Sequence, residues 1–297
     1  MALNIPYIKN SQQLFISEFN KFSKNNDNSN LFINKNNYKN NLRILTFNTY
    51  FWNSRLIVNN FKNQFEVINK LNPDIIFLQE CTWLNNDDNK IKSFKQIGYK
   101  YVILSKTTIL ENNNYYGNIT FSKFPIKYHS IIDLTVDGCI DNHNCIHINI
   151  FDIDIFGMHL DVYDSSDKTR INQLNILFKY INENISSNNI IILGDFNLLN
   201  KYQLNKETIE YIIKHDKLRN VVTHFEAIDT ILNNDFIDIY DFINKDFPKL
   251  TCCFDRRIDY IFVKKSHNLN IKDINCIKSD ISDHYPLILD IDYKKIY

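Results

Sequence analysis

From residue 41 onward, short apolar runs alternate with longer segments of helical periodicity. The runs LRILTFNTY (42–50), DIIFLQE (74–80), YVILSK (101–106), NITFS (118–122) and HSIIDLTV (129–136) are short and rich in β-branched and aromatic residues, which predicts strands. CIHINIF (145–151) and DIFGMHLD (154–161) follow as a hairpin, and NIIILGDFN (189–197) reads as a buried strand that runs into a loop. RIDYIFVK (257–264), IKDINCI (271–277) and YPLILDI (285–291) close the chain as strands. Between them, Phe65 to Leu71 falls in a helix that has to end before Pro73, because the residue preceding a proline is pushed out of the helical region. Ser166 is placed to cap a helix running to about Asn184, with Ile171, Leu174, Leu177 and Phe178 on one face, and another helix is expected near 205–215. There is no internal repeat. Strands dominate both halves and helices interrupt each, an order that predicts an α/β (α+β) protein with two packed sheets and helices outside.

Residues 1–40 differ from the rest. Leu14, Phe15, Ile16, Phe19 and Phe22 fall near helical spacing and KNNDNSN reads as a linker, so an Asn-rich leader with a short helix is expected ahead of a domain spanning 41–297. With 44% hydrophobic and 14% aromatic residues the composition is not that of a disordered chain. The 34 basic and 34 acidic side chains cancel, which excludes a strongly basic nucleic-acid coat protein but not a nucleic-acid substrate, since a local basic cleft can sit on a neutral protein. Six cysteines without CxxC spacing do not make a disulfide framework and point to a reducing compartment. No apolar run approaches the ~18 residues of a membrane span, and the N-terminus lacks the apolar core of a secretory signal. The expectation is a soluble, intracellular monomer, cytoplasmic or nuclear, with no transmembrane segment.

Chemistry-bearing side chains recur where the predicted strands end: Asn48, Glu80, His159 with Asp161, Asp195 with Asn197, Asp259, and Asp283 with His284. Strand ends hold functional groups on a rigid frame, although a single polar residue there is normally just the start of a loop. In order they lie in FNTYFW, LQECTW, GMHLDVYD, GDFNLLN, RRIDYIF and SDHYPL. That ordered set, spread over about residues 41–293, resembles the endonuclease/exonuclease/phosphatase superfamily, with GDFN and SDH its most specific pieces. The resemblance implies a DNase-like four-layer sandwich, two packed mixed β-sheets flanked by helices. It also implies a Mg²⁺-dependent hydrolase of phosphodiester bonds, with Mn²⁺ as a possible substitute. Among its members the 5′-tyrosyl-DNA phosphodiesterases are the most similar locally, though they carry HLES where this chain has HLDV.

Carried over residue by residue, the resemblance makes Glu80 the principal metal carboxylate, Asn48 the amide beside it and Asp283 a further acidic group near the metal. Asp195 matches the residue that orients and deprotonates the attacking water, and Asn197 its partner or a phosphate contact. His284 matches the phosphate-facing histidine, paired with Asp259, and His159 the group near the leaving oxygen. Asn118 in the "GN" strand would reach the substrate phosphate, with a turn role as the alternative. Arg170, together with Gln173 in TRINQL, would buttress a substrate-binding surface. A nucleic acid is the expected substrate. A phosphorylated small molecule or lipid on the same fold, or a non-catalytic binding module, is the alternative.

Other residues read as structural. Asp161 and Asp164 are expected to cap the helix that follows, with an approach to the metal as the alternative. Cys139, His143, Cys145 and His147 offer zinc-like ligands, but their spacing matches no standard structural zinc pattern, so packing rather than metal is expected of them. Gly194 is expected to allow the tight exit of its strand before Asp195. Trp52, Trp83, Tyr115 and Tyr116 lie near motif ends, where exposed rings would stack on bases and buried ones would pack in the core. Cys252 and Cys253 are expected to point to opposite sides of a strand.

Overall fold

A computed structural model describes residues 41–292 apart from 86–87, 111–112, 138, 164–165, 219 and 244–249. The expected leader helix around Leu14–Phe22 and the position of Asp164 therefore lie outside the described residues.

Twelve strands form among the described residues, arranged as two six-stranded sheets. The first contains β1 (Asn41–Asn48), β2 (Ile75–Trp83), β3 (Tyr101–Ile109), β4 (Tyr115–Ser122), β11 (Asn270–Cys276) and β12 (Leu287–Asp292), in the order β11-β12-β1-β2-β4-β3. The second contains β5 (Tyr128–Asp133), β6 (Asn144–Ile150), β7 (Ile153–His159), β8 (Ile190–Asp195), β9 (Phe236–Asp238) and β10 (Asp259–Lys264), in the order β5-β6-β7-β8-β10-β9. Each sheet is mixed, with one parallel pair at its centre: β1 beside β2, and β7 beside β8. Central parallel strands are covered on both faces, which explains why ILTF and IIIL read as continuous apolar runs rather than as alternating ones.

The inner faces meet in a core of Ile44, Phe77, Ile148, Ile155, Ile191, Ile261 and Leu289, among others. The sheets approach closely at Gly157, where a Cβ would fall 2.0 Å from the Phe77 ring. The outer face of the second sheet packs Phe156, Met158, Ile192 and Phe262 against α3 (Lys168–Asn184) and α5 (Ala227–Asn233). On the outer side of the first sheet, α1 (Phe61–Leu71) and α2 (Asn89–Gln96) bring Phe65 and Phe94 together, and Phe94 stacks on Phe121 of β4 at 4.3 Å. The expected four layers are thus present.

Several local expectations hold and others change. β6 and β7 form the expected hairpin through a two-residue turn at Phe151 and Asp152, both at positive φ as such turns require. α1 begins at Phe61 and stops at Asn72, whose left-handed conformation ends it before Pro73. The N-cap residue of α3 is Asp167 rather than Ser166. Asp161 gives its backbone N–H to Gln173. The helix expected near 205–215 is α4 (Lys206–Leu218). α2, β9 and α6 (Ile239–Phe242) were not anticipated: they are short, and α2 is almost all polar outside Ile91 and Phe94.

Candidate active site

The topology delivers the polar strand ends to one place. β7 and β8 run parallel with His159 opposite Asp195, and β8 and β10 run antiparallel with Asp195 opposite Asp259. Three side chains thus stand in a row across the second sheet. In the first sheet Asn48 ends β1, and Glu80 lies in the neighbouring β2 where the register against β4 shifts between Leu78 and Cys81. Glu80 takes a positive φ of 52° at this bulge. Bulges re-aim a side chain that a regular strand would send elsewhere, and a non-glycine residue in this region persists only where its surroundings hold it there.

Asn48 joins the two sheets. Its Nδ2 donates to Glu80 Oε1 and to Asp195 Oδ2, each at 3.0 Å, while its Oδ1 accepts the N–H of Tyr50 at 2.9 Å. The Tyr50 contact fixes the orientation of the amide, since a flipped group would set N–H against N–H. Asp195 is further fixed by the backbone N–H of Asn197, which reaches Oδ1 at 3.1 Å, and Asn197 Nδ2 donates to the carbonyl of Leu160. His159 Nε2 stands 3.6 Å from Asp195 Oδ2 and 3.7 Å from Glu80 Oε1. His284 Nε2 stands 3.6 Å from the same Asp195 oxygen, and its Nδ1 lies 2.9 Å from Asp259 Oδ2. Thr251 donates its hydroxyl to Asp259 Oδ2 at 2.7 Å. Ser282 donates to the carbonyl of Asn48 at 2.8 Å, which ties the loop carrying Asp283 and His284 to the end of β1. Gly194, at φ 138°, lies so close to β7 that a Cβ would meet the carbonyl oxygen of Met158 at 2.0 Å.

Burial sets the charges. Glu80 is raised above the ordinary carboxylate range by desolvation; the Asn48 amide and His284 oppose this, and Asp195 adds to it. Asp283 is pushed up to about 6 by burial, with Glu80 and Asp195 contributing. Asp259 is likewise raised to about 6, burial outweighing the pull of His284. Burial alone would lower His284, but Asp259 and Asp195 outweigh it and carry the imidazole well above its usual value. His159 is lowered, chiefly by burial and then by His143 and His284, against the opposing charge of Asp195. Two histidines flanking one aspartate are thus driven in opposite directions.

The donor set suits a hard divalent cation. Glu80, His159 and Asp195 offer ligand atoms within 4.8 Å of one another, and Asp195, Asp259 and His284 form an adjoining group. Asp283 lies outside both groups, yet Glu80 raises its pKa, so it belongs to the same electrostatic cluster. Desolvated carboxylates that raise one another are the environment in which an oxygen-seeking ion lowers the cost of ionisation.

The family model for endonuclease/exonuclease/phosphatase proteins matches residues 45–284, a span that takes in every one of these residues. The chain belongs to the endonuclease/exonuclease/phosphatase family. Its members are hydrolytic enzymes, and so is this chain. No curated protein matches the sequence. Similar solved structures include an endonuclease/exonuclease/phosphatase from Beutenbergia cavernae, 14% identical with a TM-score of 0.64 over 86% of this chain and 72% of that one. An AP endonuclease from Archaeoglobus fulgidus is 19% identical with a TM-score of 0.61, covering 84% of this chain and 99% of that one. The human Nocturnin catalytic domain is 18% identical with a TM-score of 0.60, covering 84% and 94%. At such identities the likeness is one of fold.

Two residues named from the sequence are engaged in contacts within the protein. Asn118, 5% exposed in β4, donates to the carbonyl of Asn144 at 3.0 Å. Arg170 in this family member holds Asp167 through Nε at 2.7 Å and the carbonyl of Asp161 through Nη1 at 3.0 Å. Trp52 and Trp83 are core residues at 1% exposure each, and the Trp52 indole donates to the carbonyl of Thr82. Exposed rings near the site residues in sequence include Tyr50, Phe51 and Tyr163, of which Phe51 stacks on Tyr116 at 4.9 Å. Sequence reasoning passed over Tyr50 and Phe51. The signal was present in their position directly after Asn48, where a left-handed turn at Tyr50, Phe51 and Trp52 turns the first two rings outward and the third inward. Cys252 is buried and pairs in a bridge with His284, while Cys253 is half-buried.

Proposed function

We propose that the chain is a divalent-cation-dependent phosphodiesterase acting on nucleic acid, with Mg²⁺ as the ion and Mn²⁺ able to replace it. The observation that carries this reading is the placement of Asp195 between His159 and His284, with Asn48 tying it to Glu80. Glu80 and Asp283, aided by Asn48, would hold the ion, which when bound polarises a phosphoryl oxygen and offsets developing negative charge. Asp195, its lone pairs directed by the Asn48 amide and the Asn197 N–H, takes the proton of the attacking water. His284, kept protonated by Asp259, donates Nε2–H to the phosphoryl group. The P–O ester bond breaks as the water oxygen bonds phosphorus, and the leaving oxygen departs on the side of His159. Asn118 and Arg170, bonded within the protein, would support the substrate-binding surface from behind.

The rim of Tyr50, Phe51 and Tyr163 favours nucleic acid, because exposed rings beside a phosphate site stack on bases of any identity. Exposed Leu56, Ile57 and Val58 nearby in sequence favour a second reading, a lipid phosphodiester. Among the described residues no helix is long and apolar enough to cross a membrane. We place the enzyme in a reducing compartment, where its six free thiols would persist.

The test is a panel of abasic duplex, 5′-phosphotyrosyl oligonucleotide, poly(A), sphingomyelin and an inositol polyphosphate, each with Mg²⁺ and with chelator. Hydrolysis of an oligonucleotide that chelator abolishes, and that Asp195→Asn and His284→Ala each reduce at least about 100-fold, is the expected result. Turnover confined to sphingomyelin would move the assignment to lipid, and no Mg²⁺-stimulated turnover on any member would end it.

A further inference from the structure

Beside the catalytic cluster lies a second group of metal-ligating side chains that the hydrolytic site does not use. Cys139 and His143 come from the loop between β5 and β6, and Asp161 from the segment just after β7. Their ligand atoms lie within 4.8 Å of one another. The loop is closed at its base by the bond from Leu134 N–H to the carbonyl of His143 at 2.8 Å, and the Cys139 N–H donates to the carbonyl of Val136 at 3.1 Å. The four ligand candidates of the CIDNHNCIH segment are thereby split. Cys145 is buried in the core with Phe156 and Met158, and His147 is committed to Asp154 at 2.9 Å. Cys139 and His143 stay together and gain Asp161 as a third ligand, distant in sequence.

His143 supplies the deciding observation. Its ring is 7% exposed, and Nδ1 lies 3.0 Å from the carbonyl oxygen of His159. A carbonyl only accepts, so Nδ1 carries the proton. In the neutral ring Nε2 then presents its lone pair, and it makes no hydrogen bond, although it is buried. It faces Asp161 Oδ2 at 3.3 Å, outside hydrogen-bond geometry. Two lone pairs opposed across this distance repel unless a proton or a metal ion lies between them, and a proton on Nε2 would lack hydrogen-bond geometry to this oxygen. Ligands about 2.0–2.1 Å from a tetrahedral ion stand about 3.3–3.4 Å apart, so the spacing is that of one edge of a zinc tetrahedron. The ring N–H on a backbone carbonyl is also the usual support of a metal-bound histidine. Gln173, fully buried on α3, holds the other two ligands in place: its Oε1 accepts from Asp161 N–H at 3.0 Å, and its Nε2 donates to Cys139 Sγ at 3.7 Å.

We propose that Cys139, His143 and Asp161 bind one zinc ion, with a water in the fourth position. Thiolate, imidazole and carboxylate together select a borderline ion over Mg²⁺, so this site and the oxygen-rich cluster around Glu80 sort two metals by ligand chemistry. Binding displaces the Cys139 thiol proton to solvent. The ion pins the β5–β6 loop to the segment after β7 and sets the His143 ring against His159, whose rings meet edge-to-face at 5.9 Å. Its role is to position His159.

The experiment uses the full chain. Purified protein is loaded with Zn²⁺, passed through a desalting column in excess Mg²⁺, and its metal content is measured. About one zinc per chain is expected, falling to background in Cys139→Ala and His143→Gln, weakened about 10- to 100-fold in Gln173→Ala, and unchanged in Glu80→Gln. Titration of the unmodified protein with Co²⁺ should give a thiolate-to-cobalt charge-transfer band, and zinc should shield Cys139 from alkylation as read by mass spectrometry. Zinc retained by Cys139→Ala but lost from Glu80→Gln would place it in the hydrolytic cluster and overturn the proposal. Absence of the cobalt band in the unmodified protein would overturn it even if the variants failed to fold.

Discussion

His284 and Asp259 meet through both carboxylate oxygens, with Nδ1 2.9 Å from Oδ2 and 3.1 Å from Oδ1. The aspartate opens β10 and the histidine sits in the loop before β12, so the pair joins a strand of the second sheet to a loop that feeds the first. Thr251 completes the arrangement by accepting the N–H groups of Ile258 and Asp259 while donating to the Asp259 carboxylate. The imidazole is held in one tautomer, with Nε2 left to face Asp195 and whatever lies beside it.

Replacing Asp259 with Asn should separate positioning from charge. The amide can keep the Thr251 contact but cannot stabilise an imidazolium. His284 now stays protonated to a pH well above its ordinary value, and the variant loses that support. The alkaline limb of the kcat profile should therefore move to lower pH, with kcat at neutral pH falling about 100-fold. Steady-state rates between pH 5 and 10 check this. A lower kcat with an unmoved limb would mean that Asp259 acts only as a scaffold.

The contact between Gly157 and Phe77 predicts a stability effect remote from chemistry. A methyl group at residue 157 would land 2.0 Å from the Phe77 Cδ1, inside a core already closed by Ile155 and Ile191. Gly157→Ala should cost about 1–3 kcal/mol, since overpacking forces rings off their rotamers or the sheets apart. Urea denaturation measures it, and Phe77→Leu in the same chain should recover part of the loss by making room.

How far these features could be read in advance depended on how local their cause was. Strands such as IIIL in β8 declare themselves because both faces are buried, and the hairpin at Phe151 and Asp152 is set by the two apolar runs flanking it. Asp195, Asp259 and His284 were legible as a set because each stands at a strand end within an ordered motif, GDFN, RRIDYIF or SDHYPL, that resembles the family's. The bulge that aims Glu80 leaves no mark in DIIFLQE, because it arises from the pairing of β2 with β4 rather than from β2 itself. Likewise Asp161 looked like a helix cap, and its approach to His143 depends on a loop more than fifteen residues earlier. α2 escaped because it is only eight residues long and buries only Ile91 and Phe94.

Asp283 predicts a pH-dependent stability that a metal ion should reverse. A carboxyl carried from 3.8 to about 6 by burial costs the metal-free folded state roughly 3 kcal/mol once both folded and unfolded forms are ionised. The sign is that of a group binding its proton more tightly when folded: stability falls as pH rises from about 4 to about 6, then levels off. Without metal, Asp283→Asn should be more stable than the parent at pH 7.5, and the advantage should fade as pH is lowered to 4. His159 runs the other way but is common to both proteins, so the difference isolates Asp283. Adding Mg²⁺ at pH 7.5 should stabilise the parent more than the variant. Urea midpoints at both pH values, with and without Mg²⁺, provide the check.

Phe51 offers a way to ask what the rim is for. It is 37% exposed, stacks on Tyr116, and holds a positive φ of 57° that nothing in its own side chain favours. A ring kept in that conformation beside Asn48 is available to a flat partner, and stacking on one base is worth about 1–3 kcal/mol. Phe51→Ala should therefore raise KM for an oligonucleotide roughly 5- to 150-fold, while leaving hydrolysis of bis(p-nitrophenyl) phosphate within about twofold, because that substrate carries no base to stack. Phe51→Tyr should restore the oligonucleotide KM, since it returns the ring without changing the backbone. An equal loss on both substrates would show that the ring supports the turn after Asn48 rather than the substrate, and a loss confined to lipid phosphodiesters would assign the rim to an acyl chain instead of a base.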